Sequence, residues 1–117
     1  MTAVCALLFC LAFASSAFAS GPYCAIAYSP STGRWGHGEN YPNRASAEAR
    51  ALAECSTYDA RVVVWVHHGY AALAVDNSHG RYGVGYAASL ARAKRNAING
   101  CNSPNAHVVQ SVWSGVY

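Results

Sequence analysis

Ala25-Ile26-Ala27, a turn and Gly33-Arg34-Trp35-Gly36-His37-Gly38 return about 47 residues later as Ala72-Leu73-Ala74, a turn and Gly80-Arg81-Tyr82-Gly83-Val84-Gly85. An alanine-rich stretch ending in cysteine follows each copy, Ala47 to Cys55 and Ala93 to Cys101. A valine-rich run closes each, Ala60-Arg61-Val62-Val63 and Ala106-His107-Val108-Val109. A repeat of this length is one supersecondary unit used twice, so it decides the architecture more firmly than single-residue propensities can.

Each unit reads strand, strand, helix, strand. Pro30-Ser31-Thr32-Gly33 and Asp76-Asn77-Ser78-His79-Gly80 are turn chemistry that reverses the chain into a second strand. Asn43 and Ser89 are N-caps for the helices that follow. Ala47, Ala51, Leu52 and Cys55, matched by Ala93, Ala97, Ile98 and Cys101, form helix stripes small enough to lie close against a sheet. Glu48 and its counterpart Lys94 sit inside those stripes, which suggests either rim residues or a pair across a local two-fold axis. Arg61 to Val66 lacks alternation and reads as a strand covered on both faces. His67-His68-Gly69 is short enough to join neighbouring antiparallel strands, and the adjacent histidines are expected on opposite faces. The expected fold is α+β: duplicated strand-strand-helix-strand units, repeats 24–67 and 70–113, forming one mainly antiparallel sheet of about six strands with two helices on one face.

The apolar run from Ala3 to Phe18, ending in Ala17-Phe18-Ala19, reads as a signal peptide over residues 1–19. It is short for a bilayer span, so the expected product is a single domain, residues 20–117, secreted or periplasmic, with no membrane span after signal cleavage. The content of 53% hydrophobic and 11% charged residues fits a compact globule, and a net charge of +3 with scattered cations argues against nucleic-acid binding. Cys24, Cys55 and Cys101 remain after cleavage; in an oxidising compartment one bridge and one odd thiol is the simplest expectation, with Cys24 joined to one helix end preferred and the connectivity open.

Trp35, His37 and Tyr41, with Tyr82 and Tyr86 in the second copy, are the candidate binding residues, as an exposed aromatic strip for sugars or protein partners. The alternating glycines also mark a strand approached closely by another backbone. No histidine spacing matches a metal motif, no serine sits in a nucleophile elbow, and the carboxylates are dispersed, so no metal, cofactor or catalytic residue is expected.

Residues 25–36, Tyr41-Pro42 leading into Ala45-Ser46-Ala47-Glu48-Ala49 and Cys55, Arg61-Val62-Val63-Val64-Trp65 and Ala71-Ala72-Leu73-Ala74-Val75 resemble the bacterial secreted family called domain of unknown function 4189. The resemblance implies export and one doubled domain, and carries no activity. Ala60 and Tyr70 stand where cysteine is common in that family, and the terminal cysteine is missing, so it supplies no disulfide pairing here. The expected function is a small non-enzymatic binding module acting on a protein or an envelope glycan, an inhibitor or immunity-type protein being one version. The alternative is a small cell-wall hydrolase using Glu39, His37 or Asp76 beside Trp35.

Overall fold

The structure, a computed structural model, describes residues 22–115; the expected leader at residues 1–19 lies outside them. Strands β1 (Tyr23–Tyr28) and β2 (Trp35–Tyr41) form a hairpin, helix α1 (Arg44–Cys55) follows, and β3 (Arg61–His67) returns along the other side of β1. Strands β4 (Gly69–Asp76) and β5 (Arg81–Ala87), helix α2 (Leu90–Cys101) and strand β6 (His107–Ser114) repeat that order. All strand pairs are antiparallel and the class is α+β.

The six strands divide between two three-stranded sheets, β2-β1-β3 and β5-β4-β6, where one continuous sheet was expected. The tight link at His67-His68-Gly69 does not make β3 and β4 sheet neighbours. His68 adopts a left-handed conformation (φ 66°), and the chain leaves one sheet there and enters the other.

The faces of the central strands explain the layering. In β1 the helix-side residues are Ala25 and Ala27, while Cys24, Ile26 and Tyr28 face the other way. In β4 Ala72 and Ala74 face the helix, and Ala71, Leu73 and Val75 face away. The larger side chains of both strands join Val64, Val66 and Val112 in one buried cluster, so the sheets pack on each other through their helix-free faces. The helices therefore cover opposite outer surfaces instead of sharing one face. This separates Glu48 from Lys94; Glu48 instead accepts from Arg44 Nε at 2.8 Å, one turn back on α1.

The small helix-side residues let each helix lie almost on the strand backbone. A Cβ placed on Gly38 would come 2.5 Å from the Ala47 carbonyl oxygen, and one on Gly36, Gly83 or Gly85 would meet helix backbone atoms within 3.0 Å. Asn43 and Ser89 cap the helices through bonds from the Ser46 and Arg92 amides, as their sequence positions predict. Ser56 and Asn102 end them in the left-handed conformation, donating to the Leu52 and Ile98 carbonyls. Among the described residues no helix is long and apolar enough to cross a membrane.

Candidate functional site

The five candidate aromatics and histidine do not form one strip. Trp35, His37 and Tyr41 lie on β2, whereas Tyr82 and Tyr86 lie on β5, an edge of the other sheet. Tyr41 packs half-buried against the α1 cluster. Tyr82 packs on Tyr28, with ring centroids 4.8 Å apart, and its hydroxyl accepts from Arg61 Nη2 at 3.2 Å. Burial pushes the Tyr28 phenol up from its ordinary pKa. His37 Nδ1 lies 2.8 Å from Glu54 Oε1, and Nε2 lies 3.7 Å from Glu39 Oε1. The Glu54 carboxylate also accepts from the His37 backbone amide at 2.8 Å, and that bond holds its pKa below the usual carboxylate range. Tyr86 alone stands well out of the surface, 68% exposed.

Tyr86 borders a groove of about 530 Å³ whose floor is five consecutive residues of β3, 63–67. Tyr23 flanks it on one side, and Val84 with Tyr86 on the other. Consecutive rather than alternate residues line it because the groove follows the outer edge of β3, whose pairing with β1 shifts by one residue at Val63. Trp65 is 40% exposed there, 6.3 Å from the Tyr23 ring, with the Arg44 guanidinium carbon 4.4 Å from its ring centroid. His67 stacks on Tyr23 at 4.1 Å and donates from Nδ1 to the Pro22 carbonyl at 2.9 Å, which makes Nδ1 the protonated nitrogen. The His67 and His68 rings lie 3.8 Å apart, not on opposite faces, because the left-handed His68 breaks the strand alternation.

The sequence reading does not single out the groove residues Trp65 and His67, since the run from Arg61 to Val66 lacks alternation and reads as a strand covered on both faces, nor Tyr23 at the start of β1. Comparing the repeats position by position supplies the signal. Trp65 falls opposite Ser111, His67 opposite Trp113, and Tyr86 opposite Glu39.

Those exchanges make the two sheet-edge seams unlike. On the β2–β6 side, Ala25 pairs with Gly38 and Tyr23 with Tyr41, so Glu39 and Asn40 together oppose Cys24 in a bulge, with Asn40 left-handed (φ 63°). This is the extra residue of the first repeat, and its effect is to aim Glu39 across the seam. Glu39 Oε2 accepts from the Trp113 backbone amide at 3.0 Å. In the second unit the register from Tyr70–Ala87 to Asp76–Arg81 is unbroken, and Tyr86 points outward beside the groove.

The acids are occupied in structural bonds. Asp76 accepts from Ser103 Oγ, from Ser78 Oγ at 2.7 Å and from the Ser78 amide at 3.1 Å, and it meets His79 Nδ1 at 3.0 Å. The Ser103 and Ser78 hydroxyls hold its carboxyl well below the usual range. Ser78 Oγ lies 3.1 Å from the same His79 Nδ1 that faces Asp76, so this serine, histidine and aspartate do not form a relay through the two ring nitrogens. Asp59 is likewise held low by the Ser29 hydroxyl, at 2.5 Å, and the Ser31 amide. His37 and Glu39 sit on β2 and Asp76 at the end of β4 in the other unit.

Among the described residues the three cysteines are free and buried, each in a different cluster: Cys24 between the sheets, Cys55 at the end of α1 and Cys101 at the end of α2. The expected Cys24–helix bridge is therefore not formed, because Cys24 points to the face of its sheet that the helix does not cover. Burial raises the Cys24 and Cys101 thiols. No group of three or more metal-ligating side chains occurs among the described residues.

Two ββαβ units, packed sheet to sheet with an open aromatic groove at one seam, define a small α+β sandwich. The chain belongs to the family Domain of unknown function (DUF4189), which it matches over residues 23–112, across both units. No curated protein and no solved structure matches it.

Proposed function

We propose that this chain is a small exported, non-enzymatic binding module, secreted or periplasmic, that grips a protein or an envelope glycan in the β3–β5 groove. An inhibitor or immunity-type protein is the concrete version. The observation that carries the reading is the groove itself: exposed Trp65 and Tyr86 beside Tyr23 and valines, with no carboxylate lining it. Rings of this kind bind at low entropic cost, and catalysis needs convergent polar groups that the groove lacks. Export is supported by the apolar run before Ala17-Phe18-Ala19. The expected strip thus contracts to Tyr86, with Trp65 and Tyr23 in place of Trp35, Tyr41 and Tyr82.

The test is affinity capture from the envelope fraction on immobilised wild type, Trp65→Ala and Tyr86→Ala, with circular dichroism confirming that all three are folded. The expected result is a specific macromolecule held by wild type and lost by both variants. Equal retention by all three proteins would remove the groove from consideration. Release of soluble fragments from peptidoglycan by wild type, abolished in Glu39→Gln, would replace the binding module with the hydrolase.

A further inference from the structure

The two units differ in charge as well as in their seams. The four arginines of the first unit are balanced by Glu39, Glu48, Glu54 and Asp59, whereas Arg81, Arg92, Lys94 and Arg95 of the second stand against Asp76 alone. The whole formal net charge of +3 therefore belongs to the second unit. Asp76 is buried and bonded to serines, and no aspartate or glutamate follows it in the sequence. The difference concentrates on the helices. On α1, Arg44 pairs with Glu48 at 2.8 Å and Arg50 with Glu54 at 3.8 Å. Position for position, α2 carries Arg92, Lys94 and Arg95 where α1 has Ser46, Glu48 and Ala49, and Gly100 where α1 has Glu54. These three cations are exposed, and none makes an ion pair or side-chain hydrogen bond with a described residue. Arg81 differs, since its Nη1 donates to the Asn102 carbonyl at the end of α2, at 2.7 Å.

Helical spacing sets the shape of this face. Ala93, Ala97 and Cys101 are the buried stripe, so Arg95 lies opposite the sheet, with Arg92 on one shoulder. Leu90, Lys94 and Ile98 follow at four-residue steps along the other flank, and the two aliphatic side chains are 37% and 38% exposed. We propose that this outer face of α2 docks on an anionic lipid bilayer, with its cations at the headgroup phosphates and Leu90 and Ile98 at the acyl boundary. The cations do not surround a pocket for a small anion: the nearby cavity at the exit of α2, lined by Ile98, Asn99, Asn102, Ser103 and Pro104, includes none of them. Nor does α2 carry an aromatic residue on which to stack a base or a sugar ring. An extended anionic plane with an apolar layer beneath it matches cations and aliphatics set side by side on one convex helix. α1, on the opposite outer surface, also exposes Leu52, but its cations are already paired with its own acids, so the docking is one-sided.

The test is co-sedimentation of the exported chain with vesicles of equal parts phosphatidylcholine and phosphatidylglycerol, or of phosphatidylcholine alone, at low and high salt. Binding to the mixed vesicles only, weakened by salt, is expected. Each cation near an anionic surface changes partitioning about fivefold, so Arg92→Gln with Arg95→Gln should lose roughly twenty-five-fold. Arg34→Gln with Arg50→Gln removes the same charge from the first unit and should change binding by less than about twofold. Circular dichroism confirms that each variant is folded. Equal losses in the two pairs would assign the affinity to net charge instead of to α2, and would overturn the docking. Binding that survives in the Arg92–Arg95 pair, including any carried by an uncleaved leader, overturns it too, as does equal binding to both vesicle types or none to either. Displacement from the mixed vesicles by inorganic polyphosphate at equal phosphate concentration replaces the bilayer with a soluble polyanion. None of these results bears on capture at Trp65 and Tyr86, so this docking and the groove reading stand or fall separately.

Discussion

Replacing Gly83 by alanine tests the closest contact in the fold. Its added Cβ would meet Cys101 N, Ala97 O and Gly100 C within 3.0 Å, all of them backbone. No flexible side chain can turn aside, so α2 must lift from the sheet by roughly 1 Å, a gap that already forfeits a quarter to a half of each dispersion contact it opens. The residues that lose contact are Ala93, Ala97 and Cys101, the buried face of the helix. Overpacking costs about 1–3 kcal/mol where neighbours can yield, and this site stands at or above the top of that range, about 3 kcal/mol. For a domain with a total stability of about 5–10 kcal/mol this lowers Tm by roughly 12–24 °C. Gly80→Ala is the control: its Cβ meets nothing within 4 Å, and its φ of 64° leaves only the left-handed penalty of about 1–2 kcal/mol. Urea denaturation followed by far-ultraviolet circular dichroism measures both. Gly36→Ala, the matching position under α1, is expected to cost about as much as Gly83→Ala. A Gly83→Ala protein no less stable than Gly80→Ala would refute the claim that glycine sets the helix–sheet distance.

Asp76→Asn is expected to destabilise at neutral pH and to flatten the acid limb of the stability profile. The folded pKa of Asp76 is depressed, so its stabilisation is present above about pH 4 and is lost as pH falls through the folded value; urea midpoints of wild type and variant should converge between about pH 5 and 2. Glu39→Ala removes the acceptor at the closed seam and should cost about 0.5–1.5 kcal/mol while speeding Trp113 amide exchange; an unchanged exchange rate would show that the carboxylate does not guard that edge. The thiols of Cys24, Cys55 and Cys101 should resist alkylation in the native protein and all react in urea, as counted by mass spectrometry; a native bridge would leave one.

The repeat made the order of elements legible, and Asn43 and Ser89 placed both helix starts. The alanine stripes and alternating glycines announced close helix–sheet contact. The division into two sheets was not legible, because a run such as Arg61 to Val66 records that a strand is covered and not what covers it. One helix and one sheet cover β3 through Val62 on one face and Val64 and Val66 on the other, while Trp65 escapes at the edge. His68 hid the change of sheet, since a non-glycine residue gives little warning of a left-handed conformation. The candidate binding residues are not brought together for a related reason: Trp35 and Tyr86 occupy similar strands, yet those strands border opposite seams.

The two halves differ in two ways, and the contrast separates structure from function. In the first unit Asp59, in the loop after α1, accepts from Ser29 at the end of the first strand. In the second, Asp76 stands at the position of Ser29 and accepts from Ser103, in the loop after α2, with Asn105 at the position of Asp59. Donor and acceptor have traded ends, yet each unit keeps one carboxylate tying its hairpin turn to its helix exit. That difference cancels, as a requirement of the fold should. Glu39 against Tyr86 and Ser111 against Trp65 do not cancel: one seam is sealed by a carboxylate, and its counterpart carries exposed rings beside a groove.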